Sequence, residues 1–529
     1  MAVHVAASRN GTAASFAARP QPLDVVEYGW RRNIITLGIV IATLLEIIDV
    51  TIVNVALPNI EGNFGASVDQ AAWIGTGYII ANVVVIPITP WLQKRFGRRQ
   101  YYAASIALFI LASIMCGISG SLEQLVFWRI VQGVGGGGLV STSQAILRET
   151  YPRAQQGKAA GIFAMGVIVG PTVGPTLGGW ITDQFSWRYA FFVNVPLGII
   201  AFLIVVFLLR NPEKPQKLSL DWVGLALLAM GIGCLQYVLD QGQQKDWFDD
   251  PSIVICSFVA IIGLITFITY EWRQKQPIVQ LHVLRYPSVA AGSLLGMILG
   301  ISLYGSVLIL PQYVQSSLGF TATLSGELLV FRAAAVMIFT PISAILLSKG
   351  LVDTRWQVAI GFTLLGISNF MLAGVTTTDS GFWTFFWPLA VSGVGLAQIF
   401  VPLTVMVVGS VQPRDIPAAA AFFNLARQMG GSLAIAVLVT ILSRSNAIHH
   451  TELASSITMH SPAVSIYTQR NGGDGSQKIT QQLNTYVTQQ AAVLAYADTA
   501  RVVALSSLLL APLAFILKRP KSAAMIAAE

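Results

Sequence analysis

Glu46 and Asp49 stand three residues apart in LLEIIDVTIVNVALP, so both carboxylates fall on one face of a helix whose other residues are almost all apolar. Holding an acid at bilayer depth costs roughly 3 kcal/mol on insertion scales, which marks it as a group with a use. Two acids one turn apart titrate as a coupled pair and can share a proton, the chemistry of proton carriage. Glu46 also has a plainer reading, as a structural hydrogen-bonding group. A lone Arg129 lies in a second apolar run, FWRIVQGVGGGG, with Gln132 one turn on and on the same side. A guanidinium stays charged, so it biases a neighbouring acid, relays movement, or holds two helices together as a fixed ion pair. Glu327 and Arg332 form a third charged group. Glu327 is a candidate second proton site or a counter-charge for a cationic ligand, and an ion pair with Arg332 is the structural alternative, although five residues is just beyond ideal helical spacing.

Polar and aromatic residues in apolar surroundings supply candidates for a ligand cavity: Asn54, Tyr78, Gln132, Tyr304, Arg332, Phe423, Asn424 and Arg427. Arg427 and Gln428 suit either cavity contact or a gate. Trp73, Tyr78, Tyr304, Tyr313 and Phe423 could stack on a flat ligand, but interfacial or packing roles are commoner for each.

The elements that must position these groups are membrane helices. The chain has 529 residues, 54% hydrophobic and only 11% charged, with a mean hydropathy of +0.67, too apolar for an ordinary soluble surface. The expected fold is an all-α polytopic membrane protein. A window of about 20 residues gives spans at 34–57, 71–91, 101–120, 124–147, 159–181 and 189–209. Two follow at 221–240 and 252–271, and then 288–312, 323–347, 356–375, 383–410, 418–443 and 496–517. About fourteen spans result, in a six, two and six arrangement. The implied organisation is an N-terminal tail 1–33, a six-helix unit 34–210, a linker 211–287 with two extra spans, a second six-helix unit 288–517 containing a polar loop at 444–495, and a tail 518–529.

The net charge of +8 reads as topology and not as nucleic-acid binding, because the cations cluster between apolar runs on alternate loops. One set holds Lys94, Arg95, Arg98 and Arg99, then Arg148, Arg153 and Lys158, then Arg210, Lys214 and Lys217, then Arg273, Lys275 and Arg285, then Lys349, Arg355 and Arg414. The tail cations Lys518, Arg519 and Lys521 fall on the same side, so both termini are expected in the cytoplasm. The loop 444–495, rich in Gln, Ser, Thr and Asn, is expected on the other side as a solvated connection or a partner contact. The three cysteines, Cys116, Cys234 and Cys256, lie in apolar segments and suggest packing, not a disulfide framework.

Other chemistries are poorly supplied. The histidines His4, His282, His449, His450 and His460 sit in tails and loops, which argues against a membrane enzyme. No cofactor is expected, and no metal: adjacent histidines on a helix point about 100° apart, and only Glu452 accompanies His449 and His450. Gly135 to Gly138 suggest close approach or flexibility; no phosphate loop is present because no Lys-Ser/Thr follows. The run GVIVGPTVGPTLGG places Gly170, Pro171, Gly174, Pro175, Gly178 and Gly179 in a small-residue strip that permits close helix packing, with two prolines that bend the helix.

Taken in order, these segments resemble the major facilitator superfamily, and within it the fourteen-span drug:proton antiporters of the EmrB type. The loop LQKRFGRR, with Arg95, Gly97, Arg98 and Arg99, looks like that superfamily's turn between spans two and three. LVFWRIVQGVG is similar to its fourth-span motif and GVIVGPTVGPTLGG to its antiporter motif. IIDVTIVNVALP, WRYAFFVNVPLG and FFNLARQMGGS resemble the fourteen-span branch. The resemblance implies two six-helix bundles plus two inserted central helices, alternating access around a central cavity, and export of hydrophobic small molecules driven by inward proton flow. It further implies Asp49 as the first-span acid, Arg129 as the fourth-span arginine, a bacterial inner membrane, a periplasmic membrane-fusion adaptor and an outer-membrane channel. The chain departs from the loop motif at Pro90 and Lys94, where Gly and Asp are usual, so an acid-based charge lock is not expected there, though the arginines can pair with acids elsewhere. An exporter or symporter of a narrow metabolite, such as a fatty acid or siderophore, is the nearer alternative. A non-transporting receptor or scaffold is the more distant one.

Overall fold

The computed structural model describes residues 26–152, 155–211, 215–274, 276–456 and 477–517. The loop and tail cations Arg153, Lys214, Lys275, Lys518, Arg519 and Lys521, the histidines His4 and His460, and most of the N-terminal tail lie outside the described residues. Among those described, every regular element is helical.

Helix starts follow local chemistry. Helix α1 (Gly29–Phe64) ends on Gly65 at φ 62°, whose N–H returns to Glu61, a left-handed cap that suits glycine. Ser67 and Gln70 form a reciprocal capping box that starts α2 (Val68–Phe96). Gly97, at φ 87°, then turns the chain directly into α3 (Arg98–Gly117). The fourth expected span is two helices, α4 (Leu122–Gly136) and α5 (Leu139–Thr150), broken at the glycine run. After it come α6 (Gln156–Gln184), the short α7 (Tyr189–Phe192) and α8 (Asn194–Leu208). Asp221 and Asp250 cap the inserted pair α9 (Trp222–Gln241) and α10 (Pro251–Glu271). The second half comprises α11 (Pro287–Ser316), α12 (Ala322–Ser348), α13 (Thr354–Val375), α14 (Phe386–Gly409), α15 (Ile416–Ser456) and α16 (Gln477–Leu510).

Among the described residues, twelve helices are long and apolar enough to cross a membrane. Helix α11, apolar over Pro287–Leu303, and the broken α4–α5 pair accompany them. The outer faces carry exposed Phe207, Ile255, Ile261, Ile265 and Ile338, while Trp30, Trp180, Trp222, Trp272, Trp356 and Trp387 stand exposed near helix ends, the pattern of lipid-facing walls and interfacial belts. The expected loop 444–495 differs: α15 runs on to Ser456 and α16 begins at Gln477, so much of that segment is helix. There, His449 Nε2 lies 2.7 Å from Asp498 and Arg501 donates to the same carboxylate at 2.7 Å. His449 therefore has its partner on α16 and does not converge with His450.

Helices α1–α8 form one bundle and α11–α16 the other. Helix α9 packs on α10 and also against α2 of the first bundle and α15 of the second. The bundles meet along α6–α12, α6–α14, α2–α15 and α5–α15. Glycines set the closest approaches. A Cβ at Gly170 would lie 2.6 Å from Ile47 Cγ2, and one at Gly178 would lie 3.0 Å from the Ile52 carbonyl oxygen; both contacts are with α1, the helix of the paired acids. On the other side of α6, a Cβ at Gly157 would lie 3.1 Å from the Ala344 carbonyl oxygen of α12. These contacts give an ordered prediction. Gly170→Ala presses only on the side chain of Ile47, at Cγ2 and at Cβ, whereas Gly178→Ala also presses on backbone, so Gly178→Ala should destabilise by about 1–3 kcal/mol and more than Gly170→Ala. Thermal unfolding of the two purified variants checks the ranking.

Candidate functional site

The acids come to lie in the interior because α1 is enclosed by α2, α5, α6 and α8. Asp49 is fully buried and Glu46 is 6% exposed. Asp49 is held by three donors: Arg129 Nη1 at 2.5 Å, Gln132 Nε2 at 2.9 Å and Asn194 Nδ2 at 2.8 Å. Arg129 also donates through Nε to the Ile74 carbonyl at 3.1 Å and through Nη1 to Gln132 Oε1 at 2.7 Å. Its guanidinium carbon lies 4.3 Å from the centre of the buried Tyr78 ring. A carboxylate facing three donors, one of them cationic, is held as an acceptor. The Asp49–Arg129 pair is an ionised, hydrogen-bonded unit in the middle of the first bundle.

Glu46 has a different setting. Its Oε1 accepts from Asn82 Nδ2 at 3.1 Å and its Oε2 from the Val140 N–H at 3.0 Å. Val140 is the second residue of α5, where backbone N–H groups lack intrahelical acceptors and the helix dipole favours a negative charge. The glycine run therefore has a use beyond close packing: by ending α4 and restarting the chain as α5, it turns an open helix N-terminus towards Glu46. The close approach is present too, since a Cβ at Gly135 would lie 2.8 Å from the backbone nitrogen of Phe109. No arginine or lysine forms an ion pair with Glu46 among the described residues, and Arg427 on α15 acts on it through its field.

Polar contacts lead from this site across the seam. Asn82 Oδ1 accepts from Gln428 Nε2 at 3.1 Å, which joins Glu46 to the second bundle through one asparagine. Nearby, Asn424 Nδ2 donates to Gln144 Oε1 at 2.6 Å, and Arg427 Nη2 lies 3.4 Å from Asn424 Oδ1. Towards the basic end of the molecule, Phe163 and Phe400 meet with ring centres 6.0 Å apart. The space left between Gln144, Arg148, Phe163 and Thr404 is about 20 Å³, room for a single water at most. The bundles are closed against each other at that end.

These positions sort the residues singled out from sequence. Asp49, Glu46, Arg129, Gln132 and Tyr78 form one cluster, so Gln132 and Tyr78 bind the paired charges and do not line an open cavity. Phe423 packs on Phe400, and Asn424 and Arg427 are buried at the seam. Asn54 is exposed. The side chain of Tyr304 lies outside the described residues. Trp73 stacks on Tyr237 of α9, and the Tyr313 hydroxyl donates to the Thr377 carbonyl; both aromatics have structural partners. Glu327 does not pair with Arg332. It is exposed on the same face of α12 as Ile338 and Ile345, while Arg332 is 2% exposed. At the basic turn, Arg98 pairs with Glu149 at the end of α5 and its Nε lies 3.3 Å from Gln93, so an acid elsewhere does pair with an arginine of the turn. The Arg99 backbone N–H donates to Asn211 at 2.8 Å. Of the conformational glycines, Gly170, Gly174 and Gly178 face α1. Asn194, Asn82 and Gln144 are inconspicuous in the sequence, although each is an amide inside an apolar run; Asn194 lies in WRYAFFVNVPLG, a segment whose family resemblance could have drawn attention to it.

Comparison with known proteins agrees with this architecture. The family profile described as Major Facilitator Superfamily matches residues 39–435. The chain is 34% identical over 459 residues to the multidrug export protein EmrB of Escherichia coli strain K12, covering 86% of this chain and 89% of that protein. It is 32% identical over 506 residues to the fatty acid resistance protein FarB of Neisseria gonorrhoeae, covering 94% and 98%. Among solved structures, the human organic anion transporter MFSD10 superposes with a TM-score of 0.59 at 13% identity, over 93% of this chain and 100% of that one, a likeness of fold alone. The chain belongs to the Major Facilitator Superfamily and, within it, is an EmrB-like multidrug efflux transporter of the membrane.

Proposed function

We propose that the protein is a secondary active antiporter that exchanges inward-moving protons for outward-moving hydrophobic or amphipathic small molecules. The observation that carries this reading is the contrast between the two buried acids. Protonating Asp49 would strand Arg129 as an uncompensated buried charge, a costly outcome. Glu46 can take a proton without stranding any contacting cation, so it is the carrier, and the Asp49–Arg129 pair is the fixed charge beside it. A protonated Glu46 has an O–H to donate. Asn82 must then present its carbonyl oxygen instead of its amide N–H, and the turned amide can no longer accept from Gln428. Proton uptake thereby alters a hydrogen bond between the two bundles, and alternating access is a rocking of those bundles.

We count α4–α5 and α11 with the twelve long apolar helices, for fourteen spans. Both chain ends then lie on the basic, cytoplasmic side of a bacterial inner membrane, and the closed end of the seam faces the cytoplasm. Helices α15 and α16 extend beyond the span on the opposite side, which suits the periplasmic adaptor and outer-membrane channel that EmrB-type resemblance implies. A scaffold without transport is disfavoured by the cost of keeping a buried ion pair at membrane depth.

The test is efflux of fluorescent hydrophobic compounds from proteoliposomes under an imposed pH gradient. Export should require the gradient and stop when a protonophore collapses it. Export at an unchanged rate without a gradient would overturn the antiport reading.

A further inference from the structure

Arg332 is one of the largest fully buried side chains in the molecule, 2% exposed, and it is the eleventh residue of the 27-residue α12. That places it roughly 15 Å along the helix axis, at hydrocarbon depth and beyond the reach of lipid headgroups. Among the described residues, no acid forms an ion pair with it, and its Nε and Nη1 have no hydrogen-bond acceptor. Arg129 shows what a structural arginine looks like in this protein: an aspartate at 2.5 Å, a backbone carbonyl at 3.1 Å and a ring face at 4.3 Å. Arg332 has none of these. Helix α14 presses on α12 at the same level, where a Cβ at Gly393 would lie 2.5 Å from the Arg332 carbonyl oxygen. Close backbone packing thus fixes the depth of this residue, while its Nε and Nη1 donors stay buried and unpaired. An always-charged planar group with unused donors, in a low-dielectric setting, binds an oxyanion strongly.

We propose that Arg332 recognises the anionic end of an amphipathic substrate, a carboxylate or sulfonate carried on an apolar or aromatic body. This inference rests on the export reading above and names a substrate class for it. Glu327 does not compete for the guanidinium, because it projects from a different face of the helix.

The experiment measures equilibrium binding to the full-length protein in lipid nanodiscs, with no pH gradient. The probes are 1-naphthaleneacetate, its methyl ester and 1-naphthylmethyl-trimethylammonium, which share one ring system and differ in charge. The native chain should bind the anion about tenfold or more tightly than the ester. Arg332→Met should remove that preference while leaving ester and cation binding unchanged, and Arg332→Lys should keep part of it. The melting temperature of Arg332→Met should equal or exceed that of the native chain, because an unpaired buried charge has been replaced by an apolar side chain of similar reach. Equal binding of anion and ester by the native chain would overturn the inference, and that measurement needs no variant. An Arg332→Met protein that retains the anion preference would do the same, as would one that melts lower and loses all three probes equally, which is the signature of a packing role. Because binding is read without a gradient, failure of proton coupling leaves this result standing, and loss of anion preference in a protein that still exports neutral compounds leaves the antiporter reading standing.

Discussion

Asp49→Asn should abolish gradient-driven export and lower thermal stability, and adding Arg129→Gln should recover much of the stability without recovering export. The introduced asparagine can still accept from Gln132 or Asn194 through its one oxygen, but its amide group then faces Arg129, donor against donor, and the guanidinium is left charged in a site that is 1% exposed. Breaking a buried pair from one side costs about 3–5 kcal/mol, mostly the penalty of the remaining charge. Removing both charges removes that penalty, so the double variant should be less destabilised than the sum of the two single variants. Melting of the four proteins in the same lipid, with export measured on each, forms a complete cycle. If Asp49→Asn were as stable as the native chain, the ion pair would not be holding the first bundle together. If the double variant exported normally, the fixed charge would have no part in transport.

Glu46→Gln should have the opposite balance: a small change in stability and a large loss of proton coupling. The introduced amide can donate to Asn82 Oδ1 if the Asn82 side chain turns over, and its own oxygen can still accept from Val140; the turned Asn82 gives up only its bond from Gln428, so the cost stays at about 1 kcal/mol, that of one hydrogen bond. The variant is fixed in the hydrogen-bonding pattern of the protonated acid. Export should cease to respond to pH, while binding of a hydrophobic probe persists. Gln428→Leu tests the other end of the chain of contacts; it removes the donor that reaches Asn82 across the seam and should weaken the dependence of export on the gradient while Glu46 is intact. Normal pH-dependent export by Glu46→Gln would return the proton to Asp49.

The charged half of this site is legible in one dimension because an ionised residue in an apolar run is conspicuous. Asp49, Arg129 and Glu46 stand out on that ground alone. Amides do not, and so Asn194, Asn82 and Gln144, which complete the cluster and carry it across the seam, pass as ordinary residues of their spans. Distance along the chain also misleads. Glu327 and Arg332 look like neighbours, but five residues turn a helix through about 500°, leaving the two side chains some ~140° apart, one exposed and one buried. The glycine run at 135–138 is visible as a run, yet its role depends on what faces the break, and that residue is far back along the chain in α1. The polar stretch at 444–495 fails for a different reason. A hydropathy window recognises helix only where lipid demands it, and α15 and α16 continue past that depth because Ala, Gln and Leu favour helix and the two support each other through His449, Asp498 and Arg501.

Helix α9 is attached to both bundles. Asp240 accepts from Thr76 of α2, and Gln236 Nε2 donates to Ser432 of α15 at 2.9 Å; Trp247, just beyond the helix, reaches Thr440 at 3.2 Å. At the opposite seam α6 meets α12 directly, and among the described residues the inserted pair packs elsewhere. The rocking of the halves proposed above would therefore stretch or exchange polar contacts along one edge while small residues slide along the other. The molecule has a front and a back with respect to its own motion, and a compound arriving sideways through the bilayer meets a polar-stitched wall on one side and a glycine-lined joint on the other.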